Sequence, residues 1–295
     1  MSAPLTLVVL GSGGRLGAAL ARGAAQRGAR VLGFTHADLD LACPDALGRT
    51  LAPLAFDALV NCAALTNVDF CETHPEAAFA VNAQAVRQIA EICDRKRARC
   101  IHISTDYVFD GTQQTPYAET DPARPLSIYG KSKRQGETGL LAVNPAFLAA
   151  RVSWVFGPDR PSFIDQILRR ARETADLQAI GDKWSLPTST RDLVDWLHPL
   201  LREQPLGGLL HLTQSGQACT WQEYGQHALD CAAAAGMPLK GRTVGFQTLA
   251  SMATFIAPRP IHTILGTEKF TRLTGIVPRP WREAVEEYVR ELAAR

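Results

Sequence analysis

The sequence predicts an α/β protein built on a Rossmann-type, doubly wound parallel sheet, with a smaller lobe towards the carboxyl terminus. Three observations indicate this fold. Short apolar runs alternate with helical segments, a glycine-rich turn follows the first of those runs, and the alternation weakens after Gly157. Repeated strand–helix units require right-handed crossovers, and these bring the strands together in a parallel sheet.

The predicted elements follow in order from the pattern of apolar residues. Residues 5–10 form a continuous apolar run, which is typical of a strand buried on both faces. The elements expected next are a helix at 15–26, strands at 30–34 and 56–61, a helix at 75–95, a strand at 99–104, a helix at 127–141 and a strand at 146–152. Later elements are strands at 177–180 and 209–212 and helices at 191–201, at 221–235 and from near Trp281. We expect a sheet domain at 1–157, to which later strands return, and a loop-rich lobe at 158–295.

Composition and charge exclude several classes of function. The chain has 295 residues, of which 46% are hydrophobic and 20% charged, so it is apolar enough to bury a large core. A net charge of +2 gives no strong electrostatic surface for nucleic acid or an anionic membrane. Neither a long apolar span nor a basic leader segment is visible, so a cytoplasmic location is expected. The seven cysteines are scattered without a C-x-x-C pair, which argues against a zinc site or a disulfide framework.

A glycine-rich turn separates the first predicted strand from the first predicted helix. Gly11, Gly14 and Gly17 form the pattern G-x-x-G-x-x-G. The early glycines permit a tight turn and a close approach of the backbone to a pyrophosphate, and the last lets the helix pack on the strand. The helix N-terminus then supplies N–H groups to the anion. In this context the pattern predicts a dinucleotide site, and the alternative is a glycine turn that binds no ligand.

The residues around this turn favour NADPH as the cofactor and leave NADH open. A NAD-specific site normally has a carboxylate at the end of the second strand, where it binds the ribose 2′-hydroxyl. Here that end reads Gly33-Phe34-Thr35-His36, and the first carboxylates are Asp38 and Asp40. Arg15 in the turn is a cation that would face a 2′-phosphate. An equally good interpretation of Arg15 is a solvated surface charge.

A second constellation combines Thr105, Tyr129 and Lys133. Tyr129 and Lys133 are four positions apart, so they share one face of the predicted helix. A free phenol titrates at about 10, and an adjacent ammonium favours the phenolate, which suits proton donation nearer neutral pH. Thr105 follows a neighbouring strand, at the edge where such sheets bind ligands, and would hydrogen-bond a carbonyl under reduction. The alternative for Tyr129 is a surface tyrosine with a helical neighbour.

Longer segments extend these motifs. They are NCAALTNVD at 61–69, HISTDYVFDG at 102–111, PYAE at 116–119, YGKSKRQGE at 129–137, RVSWVFG at 151–157 and LPT at 186–188. Together with the glycine turn, this set resembles the extended short-chain dehydrogenases/reductases and, more closely, the dTDP-4-dehydrorhamnose reductase family. The resemblance covers essentially the whole chain, and the Ser-Thr-Asp-Tyr-Val-Phe-Asp-Gly block is specific.

The resemblance implies a role for each candidate residue. Tyr129 would be the proton donor, Lys133 its electrostatic partner and a ligand of the nicotinamide ribose, and Thr105 the stabiliser of the carbonyl. The residues expected at the dinucleotide are Gly11, Gly14, Arg15, Leu16, Gly17, Asp40, Leu41, Ala63, Ala64, Leu65, Thr66, Tyr129 and Lys133. Those expected at the nucleotide sugar are Thr105, Asp106, Trp154 and Arg259, whose guanidinium matches phosphate geometry. Three alternatives stay open: Trp154 as a core residue, Asp106 as a cap, and Asp40 as a turn residue.

The reaction implied by the resemblance is reduction, by NADPH or NADH, of the C4 ketone of dTDP-4-dehydrorhamnose to dTDP-L-rhamnose, with the lobe at 158–295 mainly binding substrate. Related nucleotide-sugar 4,6-dehydratases carry Thr-Asp-Glu, whereas Tyr107 follows Asp106 here. Tyr107 is no carboxylate base, so reduction is favoured over dehydration. The rival interpretations are a reductase or epimerase of another nucleotide-linked ketosugar, and a non-catalytic NADP-binding regulatory subunit resembling the methionine adenosyltransferase beta subunit.

The chain departs from the family pattern mainly in its second half. Lys183 and Ser185 stand where the family usually has Gln and Gly, and His262 stands in place of Asn. These changes leave the identity of the sugar open. Some members form a metal-bridged dimer through a glutamate of the first helix. Ala19 occupies that position, so no metal is expected, and a homodimer is implied by the resemblance alone.

Overall fold

The secondary structure alternates strands and helices along the whole chain. The structure is a computed structural model that describes residues 4–202 and 206–295, so residues 1–3 of the expected first domain lie outside the described residues. Its strands are β1 (Thr6–Leu10), β2 (Arg30–Phe34), β3 (Ala58–Asn61), β4 (Arg99–Thr105), β5 (Leu148–Val152), β6 (Val155–Phe156), β7 (Leu177–Ile180), β8 (Trp184–Ser185), β9 (Thr188–Ser189), β10 (Gly208–His211), β11 (Cys219–Thr220) and β12 (Val244–Gln247). Its α-helices are α1 (Arg15–Gln26), α2 (Pro44–Leu51), α3 (Val68–Thr73), α4 (Pro75–Phe79), α5 (Ala85–Lys96), α6 (Ile128–Val143), α7 (Phe163–Glu173), α8 (Thr190–Leu200), α9 (Trp221–Ala234), α10 (Glu268–Thr274) and α11 (Trp281–Ala293).

A parallel sheet of six strands forms the centre, in the order β2–β1–β3–β4–β5–β10. Successive residues of β1 point to opposite faces and are buried on both. Leu7 and Val9 pack with α1 and α8, whereas Val8 and Leu10 pack with α2 and α5. This arrangement explains the unbroken apolar run at 5–10, because a strand covered by helices on both faces needs no polar side.

The order of the strands reverses at β1. The chain goes from β1 to β2 on one side and then crosses to β3 on the other side. The helices that leave the carboxyl ends of β1 and β3 therefore run to opposite faces of the sheet, and a crevice opens between them. Ligands of open α/β sheets bind in this crevice.

The second half of the chain contributes to both parts of the molecule. Strand β10 pairs with β5 at the edge of the central sheet, and α8 packs against α1 beneath it. Helices α7, α9 and α11 instead form a separate core around Tyr224 and Trp281. The residues after 157 thus complete the sheet domain with segments that lie between those that build the smaller lobe.

Several helical regions differ from the expectation. Helix α7 was not predicted, although Ile164, Ile167, Leu168 and Ala171 give it a buried apolar stripe at helical spacing. The helix predicted at 75–95 consists of α4, a π-helical turn at Ala80–Gln84, and α5. The π turn directs Asn82 at the backbone of Leu65 and at Ser132. Helices α2, α3 and α10 were also missed. Within 4–202 and 206–295, no helix is long and apolar enough to span a membrane.

Candidate active site

A cleft of about 1290 Å³ opens at the carboxyl edge of the central sheet, where the strand order reverses. Its walls come from the turn after β1, the ends of β2, β3, β4 and β5, the start of α6, and loops of the smaller lobe. Nearly every candidate residue lines it: Gly11, Gly14, Arg15, Leu16, Asp40, Leu41, Ala63, Ala64, Leu65, Thr66, Thr105, Asp106, Tyr129, Lys133, Trp154 and Arg259. Gly17 is the candidate that does not line the cleft.

The glycine turn is held in a conformation that only glycine adopts freely. Gly11 has φ +74°, and its N–H donates to the Phe34 carbonyl at 2.8 Å. A Cβ atom on Gly11 would lie 2.8 Å from the Ala63 nitrogen, and one on Gly17 would overlap the Gly11 carbonyl oxygen. Gly17 therefore shapes the turn without lining the cleft, because the absence of a side chain lets α1 start close to the turn.

This turn fits the pyrophosphate of a dinucleotide. Gly14 is the N-cap of α1 and has no side chain to occupy the first N–H groups of the helix. The first turn of α1 also carries no acidic residue. The N–H groups and the positive end of the helix dipole are therefore left for an anion, which is how dinucleotide phosphates are commonly bound.

Arg15 is engaged with protein rather than pointing freely into the cleft. Its guanidinium donates to the carbonyl oxygens of Val155 and Arg160, both at 3.1 Å, and of Pro161. Arg15 thus holds the loop after β6 against the glycine turn, and its contact with a 2′-phosphate stays a prediction. Sequence reasoning missed Arg160, whose Nε donates to the Gly13 carbonyl at 2.8 Å from 147 residues away. No local pattern signals such a distant partner.

The carboxylates after β2 form turns at the rim of the cleft. Asp40 Oδ1 accepts the N–H of Ala42 at 2.9 Å, so Asp40 is a turn residue and lines the cleft as well. Asp38 accepts the N–H and the hydroxyl of Thr35 at 2.9 and 2.7 Å. A carboxylate thus lies against the end of β2, although it comes from four residues beyond the strand.

Thr105, Tyr129 and Lys133 meet at the inner end of the cleft. Thr105 ends β4, and Ser127 caps α6 by accepting the Gly130 N–H at 3.2 Å, which brings Tyr129 and Lys133 onto the face towards Thr105. Burial raises the pKa of the Tyr129 phenol above its usual value, and the hydrogen bond with Thr105 acts in the opposite direction. Tyr129 is therefore protonated at neutral pH, as a proton donor must be.

Lys133 is completely buried behind the cleft wall. Its Nζ donates to the Ile103 carbonyl at 2.6 Å and lies 3.0 Å from His102 Nε2. Burial lowers the pKa of Lys133 to about 8, against the opposing effect of Glu137 one turn further along α6. Burial also acts on Glu137, but hydrogen bonds from Arg151 outweigh it and keep the pKa of this carboxyl low.

The residues expected at the sugar nucleotide also have protein partners. Asp106 accepts from the Thr105 hydroxyl at 3.0 Å, and burial raises its pKa although Lys183 opposes this. Trp154 has a positive φ of 39° and packs near Trp221 at 5.6 Å between ring centroids, so it belongs to both an aromatic cluster and the cleft wall.

Arg259 is paired across the mouth of the cleft. Its two terminal nitrogens donate to the two carboxylate oxygens of Asp69, at 3.0 and 2.5 Å, and its guanidinium stacks 3.6 Å from the centroid of Phe255. The ion pair holds the pKa of Asp69 at about 2. Sequence reasoning missed Asp69 and Phe255 as parts of the cleft: Asp69 lies in the first turn of the unpredicted helix α3, and Phe255 lies in a loop that no periodic pattern describes.

Comparisons with known proteins show which proteins this chain is similar to. Residues 5–294 match the family model described as RmlD substrate binding domain. A probable dTDP-4,6-dihydroxy-2-methyloxan-3-one 4-ketoreductase of Streptomyces antibioticus is 35% identical over 97% of this chain and 95% of its own length. The dTDP-4-dehydrorhamnose reductase of Salmonella typhimurium is 33% identical over 98% of both chains. The crystal structure of dTDP-4-dehydrorhamnose reductase from Bacillus anthracis in complex with NADP superposes with a TM-score of 0.90, at 25% identity over 98% of this chain and 100% of that one.

Proposed function

The chain belongs to the RmlD substrate binding domain family, and on this premise we propose that it reduces the C4 ketone of dTDP-4-dehydrorhamnose with NADPH, giving dTDP-L-rhamnose. This membership confirms the family and the Rossmann-type fold expected from the sequence. The observation that carries the proposed activity is the convergence of Thr105, Tyr129 and Lys133 on one cleft that begins at a glycine turn fitted for a dinucleotide.

The bound nicotinamide supplies the hydride that forms the new C–H bond at C4. The former ketone oxygen gains negative charge as this bond forms. The Tyr129 hydroxyl donates its proton to that oxygen, which leaves a phenolate that solvent reprotonates after turnover. The Lys133 ammonium and the Thr105 hydroxyl stabilise the negative charge as it develops, in a site from which bulk water is largely excluded.

The dinucleotide is proposed to lie along the glycine turn and the segment after β3. Gly11, Gly14 and Leu16 would meet the pyrophosphate through the backbone, Asp40 and Leu41 the adenosine half, and 63–66 the nicotinamide half. Lys133 would reach the nicotinamide ribose. Support comes from their shared position at the wall of one cleft, in the order in which a dinucleotide extends across a Rossmann sheet.

The nucleotide sugar is proposed to bind between Asp106, Trp154 and Arg259. Arg259 is already stacked on Phe255 and paired with Asp69, so its guanidinium is oriented at the mouth of the cleft. Asp69 and the Ala257 carbonyl take both Nη1 hydrogens and one Nη2 hydrogen, so a diphosphate arriving there would meet the planar pair of donors formed by Nε and the other Nη2 hydrogen. Tyr107 next to Asp106 is no carboxylate, so the site is suited to reduction rather than to loss of water.

A second candidate is reduction of a different dTDP-linked 4-ketosugar. The Streptomyces 4-ketoreductase is as similar to this chain as the dehydrorhamnose reductases are, at 35% against 33% identity. The departures at Lys183, Ser185 and His262 also lie on the substrate side, and they leave Thr105, Tyr129 and Lys133 intact. The chemistry would be the same, and the sugar would differ.

One assay separates the two candidates. We would follow oxidation of NADPH, with NADH in parallel, on dTDP-4-keto-6-deoxyglucose supplied with its 3,5-epimerase, and on dTDP-4-keto-2,6-dideoxyhexoses. Rapid oxidation on the first substrate with formation of dTDP-rhamnose is expected. Turnover confined to the dideoxy substrates would support the second candidate. Binding of NADPH without turnover on any ketosugar, together with co-purification of a synthetase, would overturn both in favour of a regulatory subunit.

We also propose that the chain works in the cytoplasm as a homodimer. The cysteines in the described part of the chain are all unpaired, which suits a reducing compartment. The dimer rests on the family resemblance. Light scattering after gel filtration tests it, and a mass close to the 32.0 kDa of one chain would contradict it.

A further inference from the structure

A chain of three buried side chains leads from the end of β3 to the cleft. Asn61 Nδ2 lies 3.2 Å from His102 Nδ1, and His102 Nε2 lies 3.0 Å from Lys133 Nζ. All three side chains are at most 1% exposed. The proposed reaction uses Lys133 but gives no task to Asn61 or His102, although a fully buried imidazole beside a buried amine is an uncommon arrangement.

The direction of these hydrogen bonds follows from the backbone. The Ala63 N–H donates to Asn61 Oδ1 at 3.0 Å, which fixes the amide so that its NH₂ group faces His102. His102 Nδ1 must therefore be an acceptor and carries no proton. A neutral imidazole then has its proton on Nε2. That N–H points at Lys133 Nζ and needs a lone pair there, which an amine has and an ammonium lacks.

An ammonium at Lys133 that donates to His102 would place two hydrogen-bond donors against each other elsewhere among these residues. If Lys133 were an ammonium donating to Nε2, His102 would carry its proton on Nδ1, against the NH₂ group of Asn61. If Asn61 were turned over to relieve this, its NH₂ group would face the Ala63 N–H instead. Each choice leaves two donors facing each other without solvent, which is unfavourable inside a protein.

The charged groups around Lys133 do not remove this conflict. Glu137 on α6 is the neighbouring carboxylate, but it is fully buried and already bound by Arg151 and Arg134. After β3, burial raises the pKa of the Cys62 thiol to about 12, so it is uncharged. On β4, burial and Lys133 together hold the pKa of His102 well below its usual value. On α6 itself, the phenol of Tyr129 is protonated at neutral pH.

We propose that Asn61 and His102 are positioning residues: by keeping the proton of His102 on Nε2 they favour the amine form of Lys133 over the ammonium, and so they set the pH at which Lys133 loses its charge. Below that pH the ammonium that the reaction uses is held against an unfavourable contact with the Nε2 proton, and in mildly alkaline solution Lys133 becomes an amine that accepts this hydrogen bond. The kinetic consequence rests on the proposed reductase function, whereas the tautomer itself does not.

The substitution Asn61→Asp reverses the direction of the hydrogen bonds from residue 61 through His102 to Lys133, and it keeps the shape of the side chain. A carboxylate at this position accepts both the Ala63 N–H and a proton on His102 Nδ1, so Nε2 becomes an acceptor for a Lys133 ammonium. We expect the alkaline limb of kcat/KM for the ketosugar to move up by at least about one pH unit. Asn82→Asp is the matched control, since Asn82 is equally buried but contacts Leu65 and Ser132 instead. An unmoved limb in Asn61→Asp, or equal movement in both variants, would overturn the proposal.

Nitrogen-15 NMR of histidine-labelled protein without cofactor tests the tautomer without any turnover. The chain has seven histidines, and loss of one signal set in His102→Gln assigns His102. We expect a neutral ring protonated at Nε2 between about pH 6 and pH 9, and a proton at Nδ1 in Asn61→Asp. A ring protonated at Nδ1 in the unsubstituted protein would refute the proposal even if Asn61→Asp did not fold. Inactivity on every ketosugar with the expected tautomer would instead count against the proposed function alone.

Discussion

Replacement of Tyr129 by phenylalanine removes one hydroxyl and leaves the rest of the site in place. The ring of Tyr129 is 8% exposed and packs edge-to-face on Tyr107 at 5.6 Å between centroids, and a phenylalanine ring keeps this contact. The lost hydroxyl interacts with Thr105, whose oxygen keeps the Tyr107 N–H as a partner at 3.2 Å. The free energy of unfolding is therefore expected to change by less than about 1 kcal/mol.

The effect on catalysis is expected to be much larger. General acid catalysis by a placed side chain contributes roughly 100- to 10,000-fold. Because Tyr129 is the proposed proton donor, kcat should fall at least about a hundredfold. This corresponds to roughly 2.7 kcal/mol of lost transition-state stabilisation. The affinity for NADPH should be nearly unchanged, because the phenol is not placed at the pyrophosphate.

The assay is NADPH oxidation at saturating ketosugar, with cofactor binding and thermal unfolding measured on the same preparation. Tyr107→Phe is the matched control, since Tyr107 also lines the cleft and packs against the same ring. It should keep more than about a tenth of the turnover, because its hydroxyl is not the donor. A Tyr129→Phe enzyme that kept more than a tenth of its turnover would refute the assignment of the proton donor.

Three further predictions concern charge and the cofactor. In the unsubstituted enzyme, kcat/KM should fall as pH rises through the pKa of Lys133, about 8, because the ammonium is the catalytic form; a pH profile measures this. Gly11 has φ +74° and no room for a Cβ atom, so Gly11→Ala should weaken NADPH binding at least about tenfold, as measured by calorimetry. Gly28→Ala, with φ +82° and open space around it, should cost about 1 kcal/mol of stability and leave binding unchanged. Arg15→Ala should raise the Kd for NADPH about tenfold and weaken NADH less, because it removes the predicted contact with the 2′-phosphate as well as the contacts that hold the loop after β6.

Each of these predictions has an outcome that contradicts it. A profile that stays flat well above pH 8 would mean that the charge of Lys133 does not limit the rate. Normal NADPH affinity in Gly11→Ala would show that the turn yields without disturbing the cofactor. Equal losses for the two cofactors in Arg15→Ala would exclude a specific contact with the 2′-phosphate.

Local patterns predicted the central sheet, and they singled out Thr105, Tyr129 and Lys133, which meet at one end of the cleft. The run at 5–10, the glycine turn and the spacing of Tyr129 and Lys133 each involve residues close in sequence, so their geometry follows from one strand, one turn or one helix. The partners of Arg15 and Arg259 were beyond this reasoning. Each is fixed by a contact between segments more than a hundred residues apart, and a sequence carries no local signal of such contacts.

The departures from the family pattern prove to be neighbours in space. Trp184, between Lys183 and Ser185, stacks on His262 at 4.7 Å between ring centroids, and the backbones of Trp184 and His262 form a bridge. Lys183 Nζ donates to the Pro260 carbonyl at 2.7 Å, and the Ser185 hydroxyl donates to Thr263. The three departures thus belong to one cluster of contacting residues.

That cluster contacts the cleft through Asp106. The Ser185 hydroxyl lies 3.4 Å from Asp106 Oδ2, and the charge of Lys183 opposes the rise that burial imposes on the pKa of this carboxyl. Asp106 neighbours Thr105 but belongs to the proposed sugar side rather than to the proton-donating side. A concerted change in what stands behind Asp106 would therefore alter which hydroxyls of a sugar are bound while leaving the reduction itself untouched. For this reason the panel of ketosugars, rather than further tests of the chemistry, distinguishes the two candidate functions.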